Sequence, residues 1–419
     1  MNIAQIIYDK FKIDGRITNY VLDCEREAGT YFAHYEEVSR LNQFKVVEAF
    51  KKNKVSSRHF NASTGYGYGD EGRDALMKVF ADSLGCEDAI VSPMFMSGTH
   101  AISSALFGSL LPGDKILFIT GQPYDTLKAT LTGEGSLAAL GILSIINPLL
   151  DAKIDLKEAV VALKSDPAIK MIYIQRSTGY DIRPAFTSTY INGIISELKK
   201  DFPDKFFFVD NCYGEFVCPD EPVKADIMAG SLIKNPGGGL APTGGYIAGK
   251  KYIIDKVANR YSAPGVGTEI GSYAFGYQQF YQGLFMAPHT VLQALKGVIL
   301  ASVVFLRLGF KCSPKPDEER GDITQTILFG NEERLTSFVR GIQRASAVDG
   351  HVVPYAWDMP GYDNKVIMAA GTFVQGASIE LSADAPIREP YCAYLQGALT
   401  YEHAFLGMLY ALSELQIYP

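Results

Sequence analysis

No Lys/Arg tract stands out in this 419-residue chain, and its formal net charge is −7. It therefore lacks the footprint of a nucleic-acid or acidic-membrane partner. Long hydrophobic runs are missing too. The most apolar stretch, Gly297 to Leu306, lies between Lys296 and Arg307, far short of the roughly 20 residues that span a bilayer. The N-terminus, MNIAQIIYDKFKIDGR, has neither the basic start nor the apolar core of a signal peptide. Six cysteines (Cys24, Cys86, Cys212, Cys218, Cys312, Cys392) are scattered without a CxxC pair, which argues against disulfides or zinc and predicts the reduced thiols of a cytoplasmic protein. The six histidines show no ligand spacing, so no metal site is expected.

What is present is ordinary globular material: 47% hydrophobic and 20% charged residues, with 40 glycines and 20 prolines. That allows one large core and a second, smaller one. The first 60 residues read as a helical arm, with Phe44, Val47 and Phe50 at helical spacing. Residues 61–290 form the main unit. NASTGYGYGDEG (61–72) is a loop, and Arg73 opens a helix. Short apolar strands then alternate with helices: AIVS (89–92), KILFIT (115–120), MIYIQ (171–175), FFFVD (206–210), the run into Lys234, and GGYIAG (244–249). This pattern predicts an α/β fold with a mostly parallel sheet wrapped by helices, whose ligands bind beyond the carboxyl ends of the strands. From 291 to 419 the texture changes to a long helix followed by a mixed tail, read as a smaller C-terminal α/β domain.

Two residues dominate the chemistry. Asp210 ends the apolar strand FFFVD, and Lys234 follows the next one in DIMAGSLIKNPGGG. An acid and a lysine at the ends of adjacent buried strands suit pyridoxal 5'-phosphate: the lysine binds it as a Schiff base, and the acid keeps its pyridine nitrogen protonated. Desolvation is expected to lower the Lys234 pKa and free the amine. Lys234 alone reads as an ordinary snorkelling lysine, and Asp210 alone as a cap. Ser231, three residues before Lys234, supplies a hydroxyl for the phosphate. Ser97-Gly98-Thr99, between a strand and a helix start, offers backbone N–H groups for it, or simply a helix cap. Tyr124, after KILFIT, can stack on the ring or lie on the surface. Tyr66 and Tyr68 belong to a Gly/Tyr loop able to reach a neighbouring subunit, or merely flexible. Arg388 and Arg176 are rival clamps for a substrate carboxylate. GGYIAGK (244–250) matches P-loop spacing but is followed by Lys251 and lies in a strand-like run, so a nucleotide loop is not expected.

TGYGYGDEGRD, MSGTHA, LPGD, GQPYDTL, FVDNCYGEF, AGSLIKNPGGG and GTFVQGASIELSADAPIREPY span residues 64 to 391. Together they resemble fold-type I pyridoxal phosphate enzymes of the cysteine/methionine metabolism class, which includes cystathionine lyases and methionine γ-lyase. The bacterial cystathionine β-lyase-like branch associated with aluminium resistance looks closest. The resemblance implies that Lys234 carries the cofactor, Asp210 pairs with its ring nitrogen, Tyr124 stacks on it, and Gly98, Thr99 and Ser231 hold its phosphate. It further implies that Tyr66 or Tyr68 reaches across from a partner, in a homodimer or a homotetramer with interfacial sites. The sequence departs from the better-known lyases at Gln175-Arg176-Ser177-Thr178-Gly179, where they have an Asn-Pro-Thr turn, and at Cys212, where threonine is usual. The expected activity is a carbon–sulfur lyase, by β- or γ-elimination, on cystathionine, cysteine or methionine. The alternatives are an aminotransferase, an aldolase-like enzyme, or a pyridoxal phosphate-binding protein without turnover.

Overall fold

The structure is a computed structural model and describes residues 3–359 and 362–418. Strands β1 (Asp88–Ser92), β2 (Lys115–Phe118), β3 (Leu143–Ile146), β6 (Ile169–Gln175), β7 (Phe206–Asp210), β8 (Ile227–Ser231) and β9 (Gly245–Gly249) form one seven-stranded sheet. A two-stranded hairpin, β4 (Leu149–Leu150) and β5 (Lys153–Ile154), stands apart from it. The order is β1-β9-β8-β7-β6-β2-β3, and only β9 runs against its neighbours. The central strands are apolar on both sides. Ile227, Met228 and Ala229 of β8 and Phe207, Phe208 and Val209 of β7 are all buried, as strands covered on both faces must be. Parallel pairing of β6, β7 and β8 brings their carboxyl ends to one edge, with Gln175 opposite Asp210 and Asp210 opposite Ala229.

A second sheet of five antiparallel strands follows: β10 (Lys311–Ser313), β11 (Thr324–Leu328), β12 (Val366–Ala369), β13 (Ser382–Pro386) and β14 (Cys392–Gln396), in the order β10-β11-β14-β13-β12. Helix Glu332–Ala345 packs on β12 to β14 and against helix Tyr401–Glu414. Strand period two sorts the side chains. Ala383, Ala385, Ala393 and Leu395 are buried, while Ser382, Asp384, Tyr394 and Gln396 alternate with them and face the other way.

The long C-terminal helix expected from residue 291 starts earlier, at Gln278, and runs to Arg307. Residue 290 thus falls inside a helix rather than at a break, because Phe280, Tyr281, Leu284 and Ala287 extend its apolar face back past Pro288. The ten-residue apolar run is correspondingly part of a 30-residue helix, long and apolar enough by composition to cross a membrane. Its most apolar window is 72% buried within the protein, as in a core helix. The N-terminal helices Gly15–Ala28 and Phe32–Lys52 lie along it. The helix expected to open at Arg73 begins at Glu71, capped by the Asp70 carboxylate.

Candidate active site

A cavity of about 350 Å³ opens between the carboxyl edge of the large sheet and the polar face of the small one. Most of the residues singled out in the sequence meet there: Ser97, Gly98, Thr99, Tyr124, Asp210, Ser231 and Lys234 all line it.

One end is built from helix Gly98–Ser109 and the end of β8. Ser97 is the helix cap, its hydroxyl accepting the His100 N–H at 3.1 Å. The first N–H groups of the helix have no intrahelical acceptor and carry the positive end of its dipole, which suits a phosphate. Gly98 is required by closeness: a Cβ there would lie 3.0 Å from the Cβ of Ser231. That contact keeps the helix start and the Ser231 hydroxyl side by side. The Thr99 and Thr126 hydroxyls lie 3.3 Å apart.

Asp210 is buried at the end of β7. It accepts the Cys212 N–H at 3.2 Å and the Tyr173 hydroxyl at 3.3 Å. Burial raises its pKa, and nearby Lys234 and the Cys212 N–H pull it back. Among the described residues Asp210 makes no ion pair at contact distance. A buried carboxylate with no cation at contact distance, facing a cavity, fits a protonated ring nitrogen. Tyr124 caps helix Asp125–Thr132, with its N–H held by Gln175 Oε1 at 2.9 Å and its hydroxyl 2.7 Å from that of Tyr362. Gly179, at φ +59°, lets the chain pass beneath it. A Cβ there would meet Gln175 Nε2 at 2.9 Å and the Tyr124 ring at 3.3 Å.

Lys234 follows β8 by three residues, and its Nζ lies 3.9 Å from the centroid of the Tyr213 ring. Its pKa moves opposite to the expected direction. Burial does push the ammonium downward, but Cys212, Tyr213 and Asp210 together outweigh burial, and the net direction is upward. In the cofactor-free chain the amine is therefore held protonated. The sequence alone gave the desolvation but not the surrounding groups.

The two arginines lie elsewhere. Arg176 is wholly buried behind the cavity. It donates to Asn211 Oδ1 at 2.7 Å and to Glu221 Oε2 at 2.9 Å, and it contacts Cys218 Sγ at 3.3 Å. A Cβ on Gly214 would fall 2.4 Å from the Arg176 side chain, so no surface of the guanidinium is open to a ligand. Arg388 is exposed at the rim, donating to the Tyr180 carbonyl at 3.1 Å. Tyr66 and Tyr68 are each 71% exposed and do not line their own chain's cavity. The P-loop-like GGYIAGK is strand β9, with Lys250 paired to Glu87 at 2.8 Å. No metal-binding cluster occurs among the described residues.

Sequence reasoning missed several lining residues: Tyr180 and Tyr213 on the large-sheet side, and Tyr362, Ser378, Asp384, Tyr394 and Gln396 on the side of the small sheet. The alternation Ser382-Ala-Asp384-Ala was a usable signal, since it sets two polar groups on one strand face.

The family model for methionine gamma-lyase matches residues 17–416. The chain belongs to that family. With the family come its cofactor and chemistry: this is a pyridoxal 5'-phosphate-dependent carbon–sulfur lyase of fold type I, acting on an amino acid. The chain is 48% identical over 390 residues to the uncharacterized protein YnbB of Bacillus subtilis, covering 91% of this chain and 92% of that one. A carbon-sulfur lyase involved in aluminum resistance from Clostridium novyi is 45% identical, with a TM-score of 0.94 and 99% of each chain covered. A Clostridium acetobutylicum protein, a candidate cystathionine beta-lyase involved in aluminum resistance, is 47% identical at a TM-score of 0.94, with 98% of each chain covered. Yeast cystathionine gamma-lyase, at 15% identity and a TM-score of 0.58, covering 83% of this chain and 86% of that one, shares the fold.

Proposed function

We propose that this protein breaks the carbon–sulfur bond of cystathionine, cysteine or methionine, and that Lys234 is the residue that binds the cofactor and moves the proton. The observation that carries this reading is the convergence of Lys234, Asp210 and the Ser97–Thr99 helix start on one cavity. Pyridoxal phosphate, when bound, supplies an electron-accepting ring. The chain's own residues do the rest. The buried Asp210 carboxylate holds the proton on the ring nitrogen. Gly98, Thr99, Ser97 and Ser231 bind the phosphate, and Tyr124 flanks the ring. Once its amine is released and neutral, Lys234 takes the proton from the substrate Cα.

For a β-elimination the balance is simple. The Cα–H and Cβ–S bonds break, a C=C bond forms, and the sulfur leaves as a thiol that takes up a proton. One water then converts the released enamine to pyruvate and ammonia. A γ-elimination gives a four-carbon keto acid instead. Arg388 sits at the rim beside Tyr180 and is the proposed clamp for the substrate carboxylate. The exposed Tyr66 and Tyr68 suit a role in a partner's site, in a cytoplasmic homodimer or homotetramer. Residues 1–60, 61–290 and 291–419 serve as arm, cofactor-binding domain and smaller domain, with the long helix joining the last two.

The test is Lys234→Ala. The wild-type protein should show the visible absorbance of lysine-bound pyridoxal phosphate and release keto acid from at least one of these three amino acids. The variant should lose both. A variant that kept the absorbance and the turnover would remove Lys234 from the mechanism.

A further inference from the structure

The small-sheet wall of the cavity has a chemistry of its own. Register places Met368, Asp384 and Tyr394 in one row across β12, β13 and β14, with Ser382 and Gln396 in the next. Among the described residues, Asp384 is the only carboxylate on this wall and Lys234 the only cation lining the cavity. Around Asp384 stand tyrosine rings. Tyr180 stacks on Tyr394 with centroids 5.2 Å apart and lies 5.6 Å from Tyr362. Gln396 Nε2 donates to Asp384 Oδ2 at a long 3.3 Å.

A second observation concerns the Tyr180 hydroxyl beside Asp384. The Tyr180 hydroxyl is shut off from solvent and satisfies no partner in the protein. It leans toward Asp384 closely enough to favour the carboxylate, but without the geometry of a hydrogen bond. A buried unsatisfied hydroxyl costs free energy unless something fills it. A carboxylate, a free hydroxyl oxygen and electron-rich ring faces are the set that receives an ammonium group.

We infer that this wall selects amino acids carrying a second ammonium group at the far end of the side chain, with Asp384 as the specificity-determining residue and Tyr180 as a second acceptor. The inference rests on the reading that an amino acid enters this cavity with its reacting end toward Lys234. The distal ammonium would then meet Asp384, and a substrate with an uncharged tail would leave the carboxylate and the Tyr180 hydroxyl unpartnered. Burial lifts the Asp384 carboxyl to about 6, which leaves it ionised at pH 8.

The experiment compares binding of L-lysine and L-norleucine to the holoenzyme at pH 8, by calorimetry and by the change in cofactor absorbance. The two differ only in the terminal amine, and neither has a sulfur leaving group. L-lysine should bind roughly tenfold or more tightly, and Asp384→Asn should bring the two to parity. Equal binding, tighter norleucine binding, binding of neither, or an Asp384→Asn variant that keeps the preference would each overturn the assignment. Keto-acid release from S-(2-aminoethyl)-L-cysteine separates this inference from the lyase reading. A protein that prefers lysine yet releases nothing from any sulfur amino acid keeps the role of Asp384 and loses the lyase assignment.

Discussion

Lys234 Nζ sits over the face of Tyr213, 3.9 Å from the ring centroid. The phenol, Cys212 and Asp210 hold the amine in its ammonium form against the pull of burial. Reaction with an aldehyde requires the neutral amine, so on the role proposed for Lys234 this contact opposes cofactor uptake by the empty protein.

Tyr213→Phe keeps the ring and removes the hydroxyl. The Lys234 pKa should fall, and the neutral fraction at pH 7.5 should rise. Cofactor uptake by the apoprotein should quicken by about three- to tenfold, since each pKa unit is a factor of ten in neutral amine. Stopped-flow absorbance after mixing with pyridoxal phosphate reads the rate directly. An unchanged or slower rate would show that Tyr213 does not govern this proton.

Asp210→Asn keeps the shape and removes the charge proposed to face the ring nitrogen. The variant should still acquire cofactor absorbance, while turnover drops by about 100-fold or more. Steady-state kcat with the best sulfur amino acid is the measurement. Full activity would exclude the proposed pairing.

Behind the cavity, Glu215 is fully buried and accepts the Tyr246 hydroxyl at 2.8 Å. Burial raises its carboxyl to about 8. The fold therefore binds a proton there that the unfolded chain releases near 4.5. Its stability contribution is full below about 4.5 and is lost as pH rises through about 8. Glu215→Gln mimics the protonated form. It should be close to neutral at pH 5 and should stabilise by about 1–3 kcal/mol at pH 9. Melting temperatures at the two pH values check this, and a variant uniformly less stable at both would refute it.

Arg176 and Glu221 form a wholly buried ion pair at 2.9 Å. Asn211 is tied to both, since it accepts from Arg176 and donates to Glu221 Oε2 at 3.0 Å. Because Asn211 follows Asp210, the pair braces the turn that carries Asp210. Arg176→Met alone leaves a buried carboxylate uncompensated and should cost about 3–5 kcal/mol, whereas adding Glu221→Gln should recover most of it. Thermal melts of the single and double variants decide. Equal losses in both would mean that the network, rather than the stranded charge, sets the cost.

The convergence of Ser97, Gly98, Asp210, Ser231 and Lys234 on one cavity was legible because its signals are local. Asp210 ends one apolar strand and Lys234 follows the next by three residues, Ser97 caps the helix that Gly98 begins, and Ser231 lies three residues before the lysine. The sheet was legible for the same reason, since Phe206–Asp210 and Ile227–Ser231 are short apolar runs bounded by turns. The far wall was not, because it depends on pairing between strands distant in sequence. Nothing near Tyr180 announces that Tyr394 will stack on it. Arg176 shows the converse failure. Its place at a strand end suggested a ligand contact, but Glu221, 45 residues away, claims it.

The two walls of the cavity belong to separate sheets, and this division has an evolutionary consequence. Lys234 and Asp210 hang from the large sheet, whereas Asp384 and Tyr394 hang from the small one. Replacing a side chain at position 384 or 394 changes neither the turn that carries Lys234 nor the helix start at Ser97–Thr99 proposed for the phosphate. Relatives built on this plan can therefore diverge in what they accept while keeping the same bond-breaking apparatus, and residues 382–396 are where that divergence should be read first.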